Sequence, residues 1–441
     1  MAEADELFLK ESKVSAETKQ LLPAELAEIQ RVLAQAKALG FNASGDRFLF
    51  EEAEKLSNLD NKAFREIVGQ AKSFNMRRYL FIVLAKRNEA LSGEELGKIA
   101  IDLLPSANKD YAIMSVIPLI KNPSVADIRS LLNGIDANPQ RGAAFIKLAK
   151  QNEKLSGVEL GNIANDLLKG DEKDAAIFGV LPNVTNPSIA DIRTLVGVLG
   201  TYSGRRSTFI SLAKLNANLS GEHLARIAID LLKGDEKDTA IFKVLSLVTK
   251  PSLADIRALL GGISYPPARR VAFFNLAKLN EKLTGEELGK IAIDLMTGAE
   301  RDTAISGVLP LVKNPSVVDI STLLGGISTF PGRKTALLEL AKKNGNLNGV
   351  ELGKILTQFF QAGAARDDTI LALLPNVKAR TAEDISSLIL LLNTYANRLS
   401  ALKQLLPKGP KPSLSEFDLL VRLNEGEKLR LDATKFYNEL K

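Results

Sequence analysis

Between Leu96 and Leu104 a set of apolar residues falls at Leu96, Ile99, Ala100, Leu103 and Leu104, with Ile101 standing outside it. Steps of three and four place them on one stripe of a helix, and the alternation expected of a strand is absent. A helix of this length, about ten to twelve residues, is marginal alone and gains stability only by burying its stripe against a neighbour. The same pattern returns along the whole chain, and the pattern predicts many short helices packed in series.

The return has a fixed step. Leu-Ala-Lys-x-Asn begins at Leu84, Leu148, Leu212, Leu276 and Leu340, each start 64 residues after the one before. Asp102, Asp166, Asp230 and Asp294 keep the step, as do Pro123, Pro187, Pro251 and Pro315, and in the fifth unit the phase slips by one to Asp384. Within a unit, Thr303–Val312 overlays Val271–Asn280 at a shift of 32. The basic module is therefore a helical hairpin of about 32 residues in two alternating versions.

Start and stop signals divide each unit into four helices, in the third near 206–216, 221–232, 236–248 and 253–261. Ser92-Gly-Glu-Glu95, Ser156-Gly-Val-Glu159 and Thr284-Gly-Glu-Glu287 are capping boxes, and Asp127, Asp191, Asp255, Asp319 and Asp384 each follow a Ser or Thr by three residues. The fold class expected is all-α, an α-solenoid of helical hairpins paired into 64-residue repeats with capping helices at both ends. The expected organisation is a loose segment over 1–20 and an amino-terminal helical cap over 21–76. Five repeats follow at 77–140, 141–204, 205–268, 269–332 and 333–405, and a linker with a carboxy-terminal helical cap occupies 406–441. Cap helices are expected near Ala24–Leu39, Arg47–Leu56 and Asn61–Lys72.

Composition narrows the chemistry. The 441 residues include no Cys, no Trp and a single His, with 45% hydrophobic, 25% charged and 5% aromatic residues. Disulfides, thiolate nucleophiles and cysteine-ligated metals are excluded. His223 stands where other units carry Glu95, Glu159, Glu287 and Glu351, so it is a substituted capping residue. No phosphate-binding glycine loop follows a strand pattern. The expectation is a protein with no catalytic function, no cofactor and no metal. The acidic start, without a basic flank and apolar run, is not read as a secretory signal. No apolar stretch is long enough to span a bilayer, so no membrane insertion is expected and the cytoplasm is the default location.

Charge and the inter-unit segments suggest where a partner would bind. The net charge is +6, but residues 1–60 hold 7 Lys/Arg against 12 Asp/Glu, so the middle of the chain is mildly basic. Arg77, Arg78, Arg141, Arg205, Arg206, Arg269, Arg270, Arg333 and Lys334 stand at the start of the first helix of each unit, where a cation opposes the helix dipole. Phe74, Tyr202, Tyr265 and Phe330 lie beside them in segments of changing composition. These residues are the candidate partner-binding row, for a protein or peptide or, alternatively, a nucleic acid. The competing account has each Arg bridge to an acid of the adjacent hairpin, in the row Asp110, Asp174, Asp238, Asp302. Asp102, Asp166, Asp230 and Asp294 sit late in their helices, where capping does not explain them, and are expected to pair with Lys or Arg between hairpins.

Tetratricopeptide and ankyrin repeats share the module length, but their Trp/Gly/Tyr pattern and Thr-Pro-Leu-His string are absent. Leu91-Ser-Gly-Glu-Glu-Leu-Gly-Lys-Ile-Ala100 resembles the first helix of the DNA-reading repeats of transcription-activator-like effectors. Here the apolar stripe runs on through Leu103 and Leu104, where those repeats place a base-reading loop, so no family is assigned.

Overall fold

The computed structural model describes residues 23–40, 43–344, 346–377 and 381–405, together with residue 435. The segments expected to be loose (1–20) and to form the carboxy-terminal cap (406–441) lie outside the described residues, apart from residue 435. Everything described is helical or loop, with no strand. The chain forms two compact units, Met1–Asn218 and Leu219–Lys441.

The first unit begins with α1 (Pro23–Leu39), α2 (Ala43–Ala53) and α3 (Asn61–Gln70), which occupy the expected amino-terminal cap. It continues with α4 (Phe74–Arg87), α5 (Gly93–Leu103), α6 (Ser106–Val116) and α7 (Val125–Asn133). Then come α8 (Asn138–Gln151), α9 (Gly157–Leu167), α10 (Gly170–Val180), α11 (Ile189–Gly197) and α12 (Tyr202–Leu215). The second unit repeats the sequence from α13 (Gly221–Leu231), α14 (Gly234–Val244) and α15 (Leu253–Gly262) to α16 (Pro266–Leu279), α17 (Gly285–Leu295) and α18 (Gly298–Val308). It ends with α19 (Val317–Gly326), α20 (Phe330–Lys343), α21 (Gly349–Phe359), α22 (Ala364–Leu373), α23 (Ala382–Ile389) and α24 (Tyr395–Leu405).

Neighbouring helices pack in sequence order, and inside each unit they sort into two layers. Even-numbered helices pack on even-numbered ones, α4 on α6 and α16 on α18, while α5 packs on α7 and α17 on α19. Phe81, Phe145, Phe209 and Phe273, 64 residues apart, are fully buried on the even helices, and Ile99, Ile163, Ile227 and Ile291 on the odd ones. Among the described residues no helix is long and apolar enough to cross a membrane.

Two helix boundaries depart from the sequence expectation. The 236–248 segment is α14 followed by a 3-10 turn, Leu245–Leu247. In the other repeats Pro118, Pro182, Pro310 and Pro375 sit inside this turn, where the missing N–H and the ring clash stop the α ladder. Ser246 holds the proline's place in Leu245–Leu247, so the turn does not depend on proline alone. The helix expected from residue 206 begins at Tyr202, capped by Thr201, whose side chain accepts from Gly204 N. Proline in the first turn of α8, α16 and α20 makes these starts look like loop, although proline is well placed there.

The capping aspartates do more than close their own helices. Asp191 Oδ2 accepts from Ser188 N at 2.9 Å and completes the capping box, while Oδ1 accepts from Val158 N at 2.8 Å, on the first turn of α9. Asp127, Asp255 and Asp319 repeat this toward Glu94, Glu222 and Glu286, and Asp384 toward Gly349 and Val350. One carboxylate thus satisfies orphan N–H groups on two adjacent helices and sits at the positive end of both dipoles. Burial works to raise the pKa of Asp191 and Asp255, but the hydrogen bonds outweigh it and hold both carboxyls below the usual range.

The recurrent Asn has a similar double role. Asn152 Nδ2 donates to Pro123 O at 2.9 Å while its Oδ1 accepts from Lys154 N, and Asn280 does the same between Pro251 O and Lys282 N. The residue before each of these prolines is left-handed: Asn122, Asn186, Lys250 and Asn314 have φ between 45° and 54°. Asparagine tolerates that conformation and lysine does so poorly.

Candidate functional site

The candidate row is built where the last helix of one 64-residue repeat meets the first helix of the next. Arg141, in the first turn of α8, directs Nε to Ile135 O at 2.9 Å, and its other nitrogens reach Ile135 O and Leu167 O. Arg269 does the same with Ile263 O and Leu295 O, and Arg333 with Ile327 O and Phe359 O. Leu167, Leu295 and Phe359 are the last residues of α9, α17 and α21. Each guanidinium therefore supplies donors to orphan carbonyls at a helix carboxyl end and a positive charge to that end's negative pole. The opposing dipole of the helix that carries the arginine is thereby offset. Arg77 and Arg205 make the corresponding bonds to Ala71 O and Leu199 O.

The row of aspartates is not the partner of these arginines. Asp110 accepts from Asp136 N and Ala137 N, Asp238 from Ser264 N and Tyr265 N, and Asp302 from Ser328 N and its hydroxyl. At Asp302 burial acts to raise the carboxyl's pKa, and the bonds from Ser328 and Thr329 hold it below the ordinary value. The nearest acid to Arg269 is instead Glu300, at 3.8 Å. A backbone carbonyl and a backbone amide are alternatives that residue spacing does not reveal. The late-helix aspartates do pair across hairpins, Asp166 with Arg129 and Asp294 with Arg257, each at 2.7 Å.

The neighbouring candidates separate into two environments. Arg77 lies over the Phe74 ring at 5.3 Å and Arg205 over Tyr202 at 5.6 Å, so these aromatics are joined to the row. Arg78 lies 4.8 Å above Tyr111 and donates to Asn108 Oδ1. Phe330 packs edge-on against buried Phe360, with ring centroids 5.3 Å apart. Tyr265 projects into solvent, 61% exposed, while its backbone N–H is held by Asp238. Arg206 sits beside Arg205 on α12. Arg270 and Lys334 form no ion pair with a described residue.

Sequence reasoning passed over three aromatics on even-numbered helices: Tyr111, Phe178 and Phe242. Phe178 and Phe242 are 64 residues apart and each follows a fully buried isoleucine, Ile177 or Ile241. A bulky aromatic adjacent to the buried stripe, recurring at the repeat period, was the available signal. With Phe50, Phe74, Tyr202 and Tyr265 they complete the exposed aromatics among the described residues, and all lie on even-numbered helices or at their amino caps. The exposed large apolar residues of the odd helices, such as Ile101, Ile229, Ile293 and Val318, are aliphatic.

No protein family matches the chain, and neither does a curated protein. A solved structure described as "Computational Design of Self-Assembling Cyclic Protein Homooligomers" aligns over 93% of this chain and 94% of its own, at 12% identity. Its TM-score of 0.06 is too low to carry an argument.

Proposed function

We propose that this chain is a non-enzymatic α-solenoid scaffold that holds a protein or peptide partner against the even-helix layer of a unit. The observation that carries the reading is the segregation of exposed aromatics onto that layer, since rigid aromatic anchors dominate binding energy at protein interfaces. Arg77, Arg141, Arg205, Arg269 and Arg333 of the candidate row have N–H groups directed at backbone carbonyls. On this reading they hold the face in shape and the aromatics touch the ligand.

Nucleic acid is the second reading, favoured by the guanidinium–aromatic pairs at Phe74, Tyr111 and Tyr202. Affinity capture with and without nuclease distinguishes the two. Wild type is compared with an aromatic variant, Tyr111→Ser, Tyr202→Ser, Phe242→Ser and Tyr265→Ser together. A nuclease-resistant protein partner lost by the variant is the expected result. Capture that disappears with nuclease, and affinity for a single-stranded oligonucleotide that falls steeply with salt, would replace it with the second reading.

A further inference from the structure

We infer that the trough between α14 and α16 takes a short extended peptide segment whose apolar residues are flanked by a basic residue at one end and an acidic residue at the other. The inference rests on the peptide-binding reading and assigns it a site and a ligand chemistry. The trough encloses about 660 Å³, within the range of specific ligand sites. Its walls are Phe242 on α14 and Tyr265, Pro267 and Val271 at the start of α16, and the lining is predominantly apolar. Phe242, Tyr265 and Val271 are 39%, 61% and 41% exposed, a concentration of bare apolar surface that single scattered residues do not produce.

The two ends of the trough carry opposite charges. Asp235 lies in the first turn of α14 and Lys243 in its last, and both line the trough. Neither forms an ion pair with a described residue. Their eight-residue separation on a helix is about 12 Å, the reach of roughly four residues of extended chain. The helix dipole accounts for an acid at one end and a base at the other, but not for the uncovered aromatic between them. Asp238 does not compete for the ligand, because its carboxylate is occupied by Ser264 N and Tyr265 N, which also fixes Tyr265 at the rim.

The equivalent place in the first unit is an internal comparison. Asp171 and Phe178 remain, but Gly179, Ser203 and Ser207 stand where Lys243, Pro267 and Val271 do. One charge and two apolar walls are gone, so the binding assigned here is not shared by the place between α10 and α12.

The test is selection from a phage-displayed library of random twelve-residue peptides on the full chain, followed by fluorescence anisotropy on labelled synthetic copies of the winners. The expected winners carry a basic and an acidic residue about four positions apart around apolar residues. Their affinity should fall at least tenfold in Phe242→Ser and in Val271→Ser, both exposed positions where the fold survives. Asp235→Lys combined with Lys243→Glu should invert the preferred order of the two charges. Winners indifferent to Phe242→Ser and Val271→Ser would remove the trough while leaving peptide binding in place, and a selection without enrichment would count against both.

Discussion

Thr194 occupies the space that a side chain at Gly161 would need: a Cβ at Gly161 would stand 2.7 Å from Thr194 Cγ2. The two residues face each other where α9 and α11 pack. Ala in place of Gly favours a helix interior by about 1 kcal/mol, whereas overpacking costs about 1–3 kcal/mol. Gly161→Ala should therefore lower stability by about 1 kcal/mol in urea unfolding. Adding Thr194→Ala should remove the clash and leave the double variant above the single one. The third repeat already carries Ala225 and Ala258 at the corresponding positions.

The shared caps make stability acid-sensitive. Asp191 and Asp255 have folded-state values below their unfolded ones. Their contribution is complete above the unfolded carboxyl value, about 3.9, and is lost as pH falls through the folded values. Asp191→Asn should cost about 2 kcal/mol at pH 7. The difference between this variant and wild type, followed by urea midpoints, should shrink progressively below about pH 4. A difference that stays constant down to pH 2.5 would mean the carboxylate charge is not what holds the two helices.

Thr208 is fully buried and its hydroxyl has no hydrogen-bond partner, where Ala144, Ala272 and Ala336 hold the equivalent sites. An unsatisfied buried hydroxyl costs about 1–3 kcal/mol. Thr208→Ala should raise the unfolding midpoint by an amount corresponding to about 1 kcal/mol or more. Destabilisation would indicate that methyl packing outweighs the hydroxyl penalty.

His223→Glu and Lys250→Asn restore features that other repeats possess. Ser220 still accepts from His223 N, but the return bond of the capping box is missing, and Lys250 is left-handed at φ 54°. Each substitution should stabilise by about 0.5–1 kcal/mol. His223 lies in the first turn of α13 and Lys250 in the loop before α15, with no hydrogen bond between them, so calorimetry on the double variant should show additive gains.

Arg141→Gln should destabilise by about 1–3 kcal/mol, because it uncovers Ile135 O and Leu167 O. If the aromatic layer is the binding face, partner affinity should be unchanged once both proteins are compared well below their melting temperatures.

The helices and their period were legible in the sequence because stripes and capping boxes are local signals: Ser188 and Asp191 announce α11 within four residues. The second bond of Asp191 was not legible, since Val158 lies 33 residues earlier and its approach depends on the stagger of two helices. The arginine row was visible as a row, and its role was hidden because carbonyl acceptors leave no trace in residue identity. The start of α16 was displaced by Pro266 and Pro267, which resemble a loop and form a first turn.

The bonds between adjacent hairpins join residues at recurring offsets, 33 from Asp to amide and 29 from Asn to carbonyl. Among the first four repeats a duplication or loss of 64 residues therefore reproduces these junctions unchanged, while a loss of 32 would set two helices of the same kind against each other with their caps unmatched. Such a chain can change length in whole units without inventing a new contact, so the structure makes in-frame recombination between distant repeats an easy route to longer and shorter forms.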